Sequence, residues 1–308
     1  MEGDGVIVEY FTPSSAANPA GVPFKVSEIS HIFKDVTDTE PAGLCNLEVP
    51  AEWANVAKSV GMLQFTSGSS EFLCTGTLLN DQASDQIPYL LTANHCFSTQ
   101  TEAQTLRVHW IYNTGDDPPP GTPFTDGANL LVTGTGSDFT FVRLTGSLPG
   151  GLFFSGWDAT PVPLTTSVTG IHHPNGSHKR ISFGATNSNC LPGLPGPCAN
   201  FTHVAWSSGT TEPGSSGSGL WRGPAANPQL VGTLTGGAAS CMNPTGNDEY
   251  GSFSATYPSV SSFLTGTDCV SMISPASQSF SRFPESGSLN VTAPSACNWT
   301  ASSTASFI

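Results

Sequence analysis

Charge is scarce in this chain of 308 residues: only 10% are charged, and Lys and Arg together number nine. The formal net charge of −14 at pH 7 excludes nucleic acid and anionic membrane as partners, because both need basic side chains to neutralise phosphate. A cationic substrate would be drawn in instead, by steering that salt weakens. No C-x-x-C pair occurs among the eight cysteines at 45, 74, 96, 190, 198, 241, 269 and 297, which removes the zinc ribbon and the thioredoxin-like redox site. No apolar run reaches the ~18 residues that a membrane-spanning helix needs. The opening "MEGDGVIVEY" lacks a basic and apolar leader, so the true N-terminus is expected upstream. An even cysteine count without metal spacing points to as many as four disulfides and an oxidising compartment. The protein is therefore expected to be secreted.

What is abundant is Gly, Pro, Ser and Thr, interleaved with short apolar runs such as "GMLQF", "CTGTLL", "IPYLLTA", "LRVHWIY", "FTFVRL", "QLVGTLTG" and "YGSFSATY". Strands this short, separated by turn signals, indicate an all-β sandwich or barrel. One helix is expected in "PSVSSFLTG", starting near Ser259 or Ser261 and ended by Gly266. Three regions differ in texture: residues 1–42, with alternating runs around a Pro-rich gap; 43–267, rich in strand signals; and 268–308, where a β pattern restarts. About 40 residues bury little core alone, so the last region reads as the front of a further module. "NTGDDPPPGTPFTDGAN" and "CLPGLPGPC" read as turn-rich surface insertions, with Cys190 and Cys198 close enough to bridge the second.

Composition makes "TEPGSSGSGLW", residues 211–221, look like a flexible linker. The same letters contain Gly214-Ser215-Ser216-Gly217, a turn able to present a nucleophilic serine. Serine catalysis needs a base to take the proton and an acid to hold that base in one tautomer. "LLTANHCF" supplies His95 after an apolar strand, and "GSDFTFVRL" supplies Asp138 before another. Taken singly, His95 could be a histidine beside a disulfide, Asp138 a turn residue, and Ser216 part of a Gly-Ser run. Their order, His then Asp then Ser, with these flanks and long gaps, favours catalysis on a fold that gathers distant strands.

"LLTANHC", "SDFTFVRL" and "TEPGSSGSGLW" resemble the three catalytic blocks of chymotrypsin-fold serine proteases of the lysyl endopeptidase group. "GLCNLEV", "FLCTGTLLND", "GIHHPNGSHKRIS", "TGGAASC" and "NDEYGSFSATY" resemble further blocks of that group in the same order, over residues 43–265. The resemblance implies a chymotrypsin-like pair of six-stranded barrels with the active site in the cleft between them. It implies His95 as general base, Asp138 as its orienting acid, Ser216 as nucleophile, and the N–H groups of Gly214 and Ser216 as the oxyanion hole. It further implies bridges Cys74–Cys96 and Cys45–Cys241. Cys190–Cys198 is then left to the insertion and Cys269–Cys297 to the C-terminal segment. Zymogen-activated digestive proteases carry an aspartate before the nucleophile that pairs with a new N-terminal ammonium. Ser215 has no charge for that pairing.

Asp248 in "NDEYGSF" matches the aspartate at the base of that group's primary specificity pocket, where a buried carboxylate selects a substrate ammonium. The bland reading is a polar loop residue beside Glu249. Thr235 and Gly236, in "TLTGGAASC", fall on the pocket wall, and Thr235 stands where lysine-restricted members carry histidine. The smaller residue implies a more open wall and a Lys/Arg mixture. The tryptophan such enzymes place beside the cleft has no placed counterpart, its region having become the insertion "NSNCLPGLPGPCANF", residues 187–201; Trp206 is expected to pack inside the barrel. His172 and His173 do not suit joint metal binding, since neighbours on a strand face opposite ways.

The expected function is thus a secreted serine endopeptidase cleaving after Lys, and after Arg as well, through an acyl-enzyme. It needs no cofactor and no metal, and it is expected to act as a monomer on protein or peptide substrates with basic side chains. Two alternatives stand beside it: a catalytically silent protease-fold binding or adhesion module, and a serine protease of different primary specificity. Residues 1–42 resemble the end of a pro-region, with Lys34 the nearest basic processing site. Residues 268–308 resemble the first half of a BACON-type β-sandwich, a module thought to bind carbohydrate or mucin.

Overall fold

The computed structural model describes Gly43, residues 45–115 and 118–266, residues 287 and 288, and one short C-terminal strand pair. The expectations for residues 1–42, Lys34 included, and for a Cys269–Cys297 bridge lie outside the described residues.

Among the described residues, sixteen short strands and three α-helices follow the turn signals of the chain. The first half holds β1 (Leu47–Glu48), α1 (Ala54–Ala57), β2 (Val60–Ser67), β3 (Ser70–Leu79), β4 (Tyr89–Thr92), α2 (Gln100–Thr105), β5 (Arg107–His109), β6 (Phe124–Asp126), β7 (Ala128–Gly134) and β8 (Phe139–Leu144). The second holds β9 (Ser167–His172), β10 (Arg180–Asn187), β11 (Phe201–Ser208), β12 (Gly219–Arg222), β13 (Gln229–Gly237), β14 (Asn247–Ser252) and α3 (Phe253–Leu264). Beyond them β15 (Met272–Ser274) pairs antiparallel with β16 (Asn290–Thr292).

The second half is a closed barrel: β10-β11-β14-β13-β12-β9 runs around it, β9 pairs back onto β10, and β1 is added outside. The first half is one seven-stranded sheet in the order β6-β5-β2-β3-β4-β8-β7. Its two end strands are joined through the single residue Gly127, so the sheet has to curl until its ends meet, although no ladder closes β6 on β7 among the described residues. The architecture is the expected chymotrypsin-like one, with a barrel and a curled half-barrel in place of two closed six-stranded barrels.

Burial explains these choices. β8 is buried along its whole length, Thr140 and Arg143 included; strands covered on both faces lose the alternating pattern of exposure. Three apolar clusters result. Leu63, Leu78, Leu90, Val108, Trp110 and Val142 fill the half-barrel. Val168, Val204, Trp206, Leu220, Val231 and Tyr250 fill the barrel. The third joins the halves, setting Tyr89 and Phe141 with Ile171, Trp221, Phe253 and Val260 in one core.

The helices depart from expectation, and α1 (Ala54–Ala57), like α2, was not expected. α3 begins at Phe253, several residues before the predicted start, and carries Pro258 inside it. Burial of Phe253, Val260 and Leu264 outweighs the backbone bond that proline removes. α2 was not expected, yet its signal is local: Thr99 and Glu102 form a reciprocal capping box.

Candidate active site

His95 lies three residues after the end of β4 and Asp138 immediately before β8, both on loops of the half-barrel. His95 follows β4 and is fastened by the Cys74–Cys96 bridge and by Asn94, whose side-chain amide donates to Thr133 Oγ1 at 2.7 Å. Asp138 takes a left-handed backbone conformation, φ 49°, that turns its carboxylate back toward His95. One oxygen accepts the His95 backbone N–H at 2.9 Å and the other lies 2.7 Å from His95 Nδ1. Asp138 is 1% exposed, whereas the His95 side chain is 42% exposed. A buried carboxylate against Nδ1 keeps the proton there and leaves Nε2 as the accepting nitrogen toward the cleft.

The 211–221 stretch is no linker. Its strand residues Gly219 and Leu220 pair with both β13 and β9, and the turn before them is tied to the half-barrel through Thr75. The Thr75 N–H donates to the Ser216 carbonyl at 2.8 Å. The Thr75 hydroxyl donates to the Gly214 carbonyl at 2.9 Å and accepts the His173 N–H at 3.1 Å. Gly217, φ 82°, sits where an added Cβ would lie 2.1 Å from Thr92 Oγ1 and 3.0 Å from Ala93 N, so only glycine lets the turn reach the strand before His95. Gly214, φ 86°, is crowded by the His173 carbonyl and the amides of Asn175 and Gly176. Among the described residues the N–H groups of Gly214 and Ser216 donate to nothing, while Ser215, Gly217 and Ser218 all donate to backbone carbonyls. Two adjacent unspent donors beside a serine are what an oxyanion site requires. Ser216 Oγ and His95 Nε2 form no hydrogen bond with each other or with other described residues, a contact that often tightens only when substrate binds.

The expected specificity residue Asp248 lies on β14 beside Glu249. Alternation sends the two neighbouring carboxylates to opposite faces. Glu249 turns to the 187–201 insertion, accepting the Leu191 N–H at 2.8 Å, and pairs with His203 of β11. Asp248 turns inward and is 0% exposed. Its Oδ2 accepts the Trp206 indole N–H at 2.7 Å and the Thr211 hydroxyl. Its Oδ1 has only the long Ala239 N–H contact of 3.4 Å. No cation pairs with it among the described residues. Burial raises its pKa above the ordinary carboxylate value, opposed by the Thr211 and Trp206 bonds. Thr235 is the bulged residue between Leu234 and Gly236 in the β13–β14 ladder, and its hydroxyl is buried without a partner.

Sequence reasoning missed Thr75, Thr211 and the second task of Trp206. Trp206 does pack inside the barrel, as expected, but its N–H is aimed at Asp248. Thr75 lies in the "FLCTGTLLND" block beside Cys74, and that adjacency was its only local signal. His172 and His173 do point apart: His172 contacts Ser182 and Ser215, while His173 Nδ1 meets the Ser177 carbonyl and its ring stacks on Tyr112. Among the described residues, Cys190, Cys198 and His203 form the one group whose donor atoms are close enough to hold a metal ion. Cys190 and Cys198 are bridged, which spends both thiolates and leaves a single imidazole. The Cys45–Cys241 bridge is present as expected.

Similarity to known proteins agrees with this geometry. The family model described as "Lysyl endopeptidase, C-terminal domain" matches residues 40–251. The lysyl endopeptidase of Pseudomonas aeruginosa is 31% identical over 289 residues, which cover 86% of this chain and 62% of that protein; the chain thus spans under two thirds of that relative's length. The protease Anisep from Arthrobacter nicotinovorans aligns with a TM-score of 0.52 at 17% identity, over 68% of this chain and 97% of Anisep. The HtrA-type protease AlgW, solved with a tripeptide, aligns at 0.51 and 18% identity, over 69% and 62%. At such identities the two structures show the fold alone. The family match stops before the C-terminal segment, so a BACON-type module gains no support from it. The chain belongs to the lysyl endopeptidase family of chymotrypsin-fold serine proteases.

Proposed function

We propose that the protein is a secreted serine endopeptidase that hydrolyses peptide bonds after Lys, and after Arg as well, by a Ser216–His95–Asp138 acyl-enzyme mechanism. The observation that carries this reading is the buried Asp138 carboxylate on His95 Nδ1 beside a turn with two unspent amide donors. His95 Nε2 takes the Ser216 Oγ proton as Oγ attacks the scissile carbonyl. The N–H groups of Gly214 and Ser216 receive the developing oxyanion. Imidazolium then returns the proton to the leaving amine, the C–N bond breaks, and Ser216 carries the acyl group. Water enters with His95 again as base, and the C–O bond to Ser216 breaks.

Asp248 supports the basic specificity. It is a carboxylate with two donors on one oxygen, room on the other and no resident cation, so a substrate ammonium supplies the missing charge. Neutral side chains would leave it buried and unpaired, which costs more than the contact they gain. Thr235 on the wall leaves space that a bulkier residue would fill, and this supports acceptance of Arg.

Turnover of Lys, Arg and Glu esters, with Ser216→Ala as control, tests the reading. Lys and Arg esters are expected to be hydrolysed and the variant to lose at least about a thousandfold. Turnover of the Glu ester alone would retire the role of Asp248; no turnover at all would leave a silent binding module.

A further inference from the structure

Behind the nucleophile turn lies a closed set of hydrogen bonds that the catalytic steps do not use. Ser215 and His172 are both fully buried. Ser215 Oγ is 2.9 Å from His172 Nδ1 and accepts the Glu212 N–H at 3.2 Å. His172 Nε2 is 3.1 Å from Ser182 Oγ, and Ser182 Oγ donates to the Thr210 carbonyl at 2.7 Å.

The direction of each proton follows. A serine hydroxyl has one proton, and that of Ser182 is spent on Thr210, so Ser182 accepts from His172 Nε2–H. Nδ1 is then bare and accepts from the Ser215 hydroxyl. Every donor and acceptor along Thr210, Ser182, His172, Ser215 and Glu212 is satisfied by a neutral imidazole in the Nε2–H form. Burial, aided by the Arg180 charge, pushes the His172 pKa down to about 3, so the ring keeps this form at neutral pH.

We infer that His172 and Ser215 are positioning residues that hold the Ser215–Ser216 peptide so that its N–H faces the oxyanion, the inference resting on the proposed role of Ser216. Zymogen-activated proteases do this with an aspartate and an N-terminal ammonium. Here an uncharged relay from β10 through β9 does it within the barrel. The Ser215 side chain sets the rotation of the next peptide plane, and Thr75 holds the same peptide unit's neighbours from the opposite side. Losing the relay would therefore misaim an oxyanion donor while leaving Asp248 and its pocket in place.

Ser215→Ala and His172→Leu test this with a Lys amide substrate and a peptidyl-lysine aldehyde, whose tetrahedral adduct on Ser216 puts an oxygen in the oxyanion site. Removing one such donor outright costs on the order of 10²–10³ in kcat, so a misaimed one is expected to cost about tenfold or more. The aldehyde inhibition constant should rise by the same factor, with KM within about threefold and each kcat corrected for titrated active sites. His172→Asn, whose amide oxygen can stand where Nδ1 stands, should recover part of the loss. Should the variants not fold, the 15N shifts of the His172 ring in the unaltered protein still decide, since a proton on Nδ1 would overturn the relay. Wild-type kcat and aldehyde affinity in folded Ser215→Ala would overturn the inference alone. An unaltered protein that neither turns over ester nor binds the aldehyde would remove the Ser216 reading and the inference with it.

Discussion

Asp248→Asn is the most informative single change, because it removes one charge while keeping the shape of the side chain. In the native pocket Oδ2 receives Trp206 Nε1–H and the Thr211 hydroxyl, and Oδ1 has only a 3.4 Å contact with the Ala239 N–H. An Asn oxygen can keep the two Oδ2 partners, with its NH2 group where Oδ1 faced the pocket. A bound lysine ammonium then meets a donor where it met a carboxylate oxygen. Breaking a buried, hydrogen-bonded charge pair from one side costs about 2–5 kcal/mol, or about 30- to 4,000-fold at about 1.4 kcal/mol per decade. That loss is expected in kcat/KM for Lys and Arg esters, while a norleucine ester should change by less than about threefold. The same change should stabilise the fold at pH 8. The pKa of Asp248 is raised in the folded state, so its contribution is most favourable below the unfolded value and is lost as pH rises through the folded one. Removing the charge therefore helps at pH 8, and the gain should vanish by about pH 3.5, below the ordinary Asp value of about 3.9, where the carboxyl is protonated in the folded and unfolded chain alike. Steady-state kinetics on the three esters and thermal melts at the two pH values provide the check. Retention of the native Lys preference by folded Asp248→Asn would refute the pocket assignment, and a melting point lowered equally at both pH values would refute the uncompensated charge.

Two further predictions follow from the same structure. The Cys45–Cys241 bridge spans a sequence separation of 196 residues, and Cys190–Cys198 spans 8. Loop-closure entropy then assigns about 5 kcal/mol to the first and about 2–3 kcal/mol to the second, so paired Ser replacements should differ in that order in urea midpoint. The Cys45 and Cys241 pair should also lower activity, since neighbouring Asn46 bonds Glu212 of the nucleophile turn at 2.8 Å. Acid should destabilise the fold through three histidines: His172, held down to about 3 by burial and by Arg180, with the Thr210 carbonyl opposing; His173, held well below the ordinary value by burial and by Lys179, with the Ser177 carbonyl opposing; and His109, held down to about 4 by burial and by Arg107, with Asp126 opposing. The unfolded chain binds more protons than the fold below the ordinary histidine value, so stability is complete above about pH 6.5 and falls by about 1.4 kcal/mol per pH unit for each ring that charges only on unfolding. Urea midpoints between pH 7 and 4 measure that slope, and His172→Asn should remove about one proton from it.

Some of this was legible along the chain because the determinants are local. His95 adjoins a cysteine after an apolar strand, Asp138 precedes another, and Gly214 and Gly217 supply the positive φ that the turn demands. The capping box at Thr99 and Glu102 was equally local, and it marks a helix that composition alone concealed. The start of α3 was not legible. Pro258 argues against a helix running through it, and only the burial of Phe253 and Val260 overrides that preference. Thr75 and His172, inside strands, and Thr211, in the loop after β11, were illegible as site residues, because such a residue reads as packing or as loop until its partner from a distant segment is known.

The sequence by itself determined the strand-rich class, the order of the three catalytic candidates, the cysteines able to bridge, and a turn that only glycine can make. Each rests on residue type and short spacing, which act through local backbone preference and covalent reach. Tertiary structure alone decided which of two adjacent carboxylates turns to Trp206 and Thr211, since β14 had to find its register before Asp248 could meet them and Glu249 could meet His203 and Leu191. It also decided that a Gly-Ser stretch is held rigid, because the bonds that hold it come from Thr75, His172 and Leu234. Hydrogen bonds between segments far apart in the chain exist only once the barrels have closed.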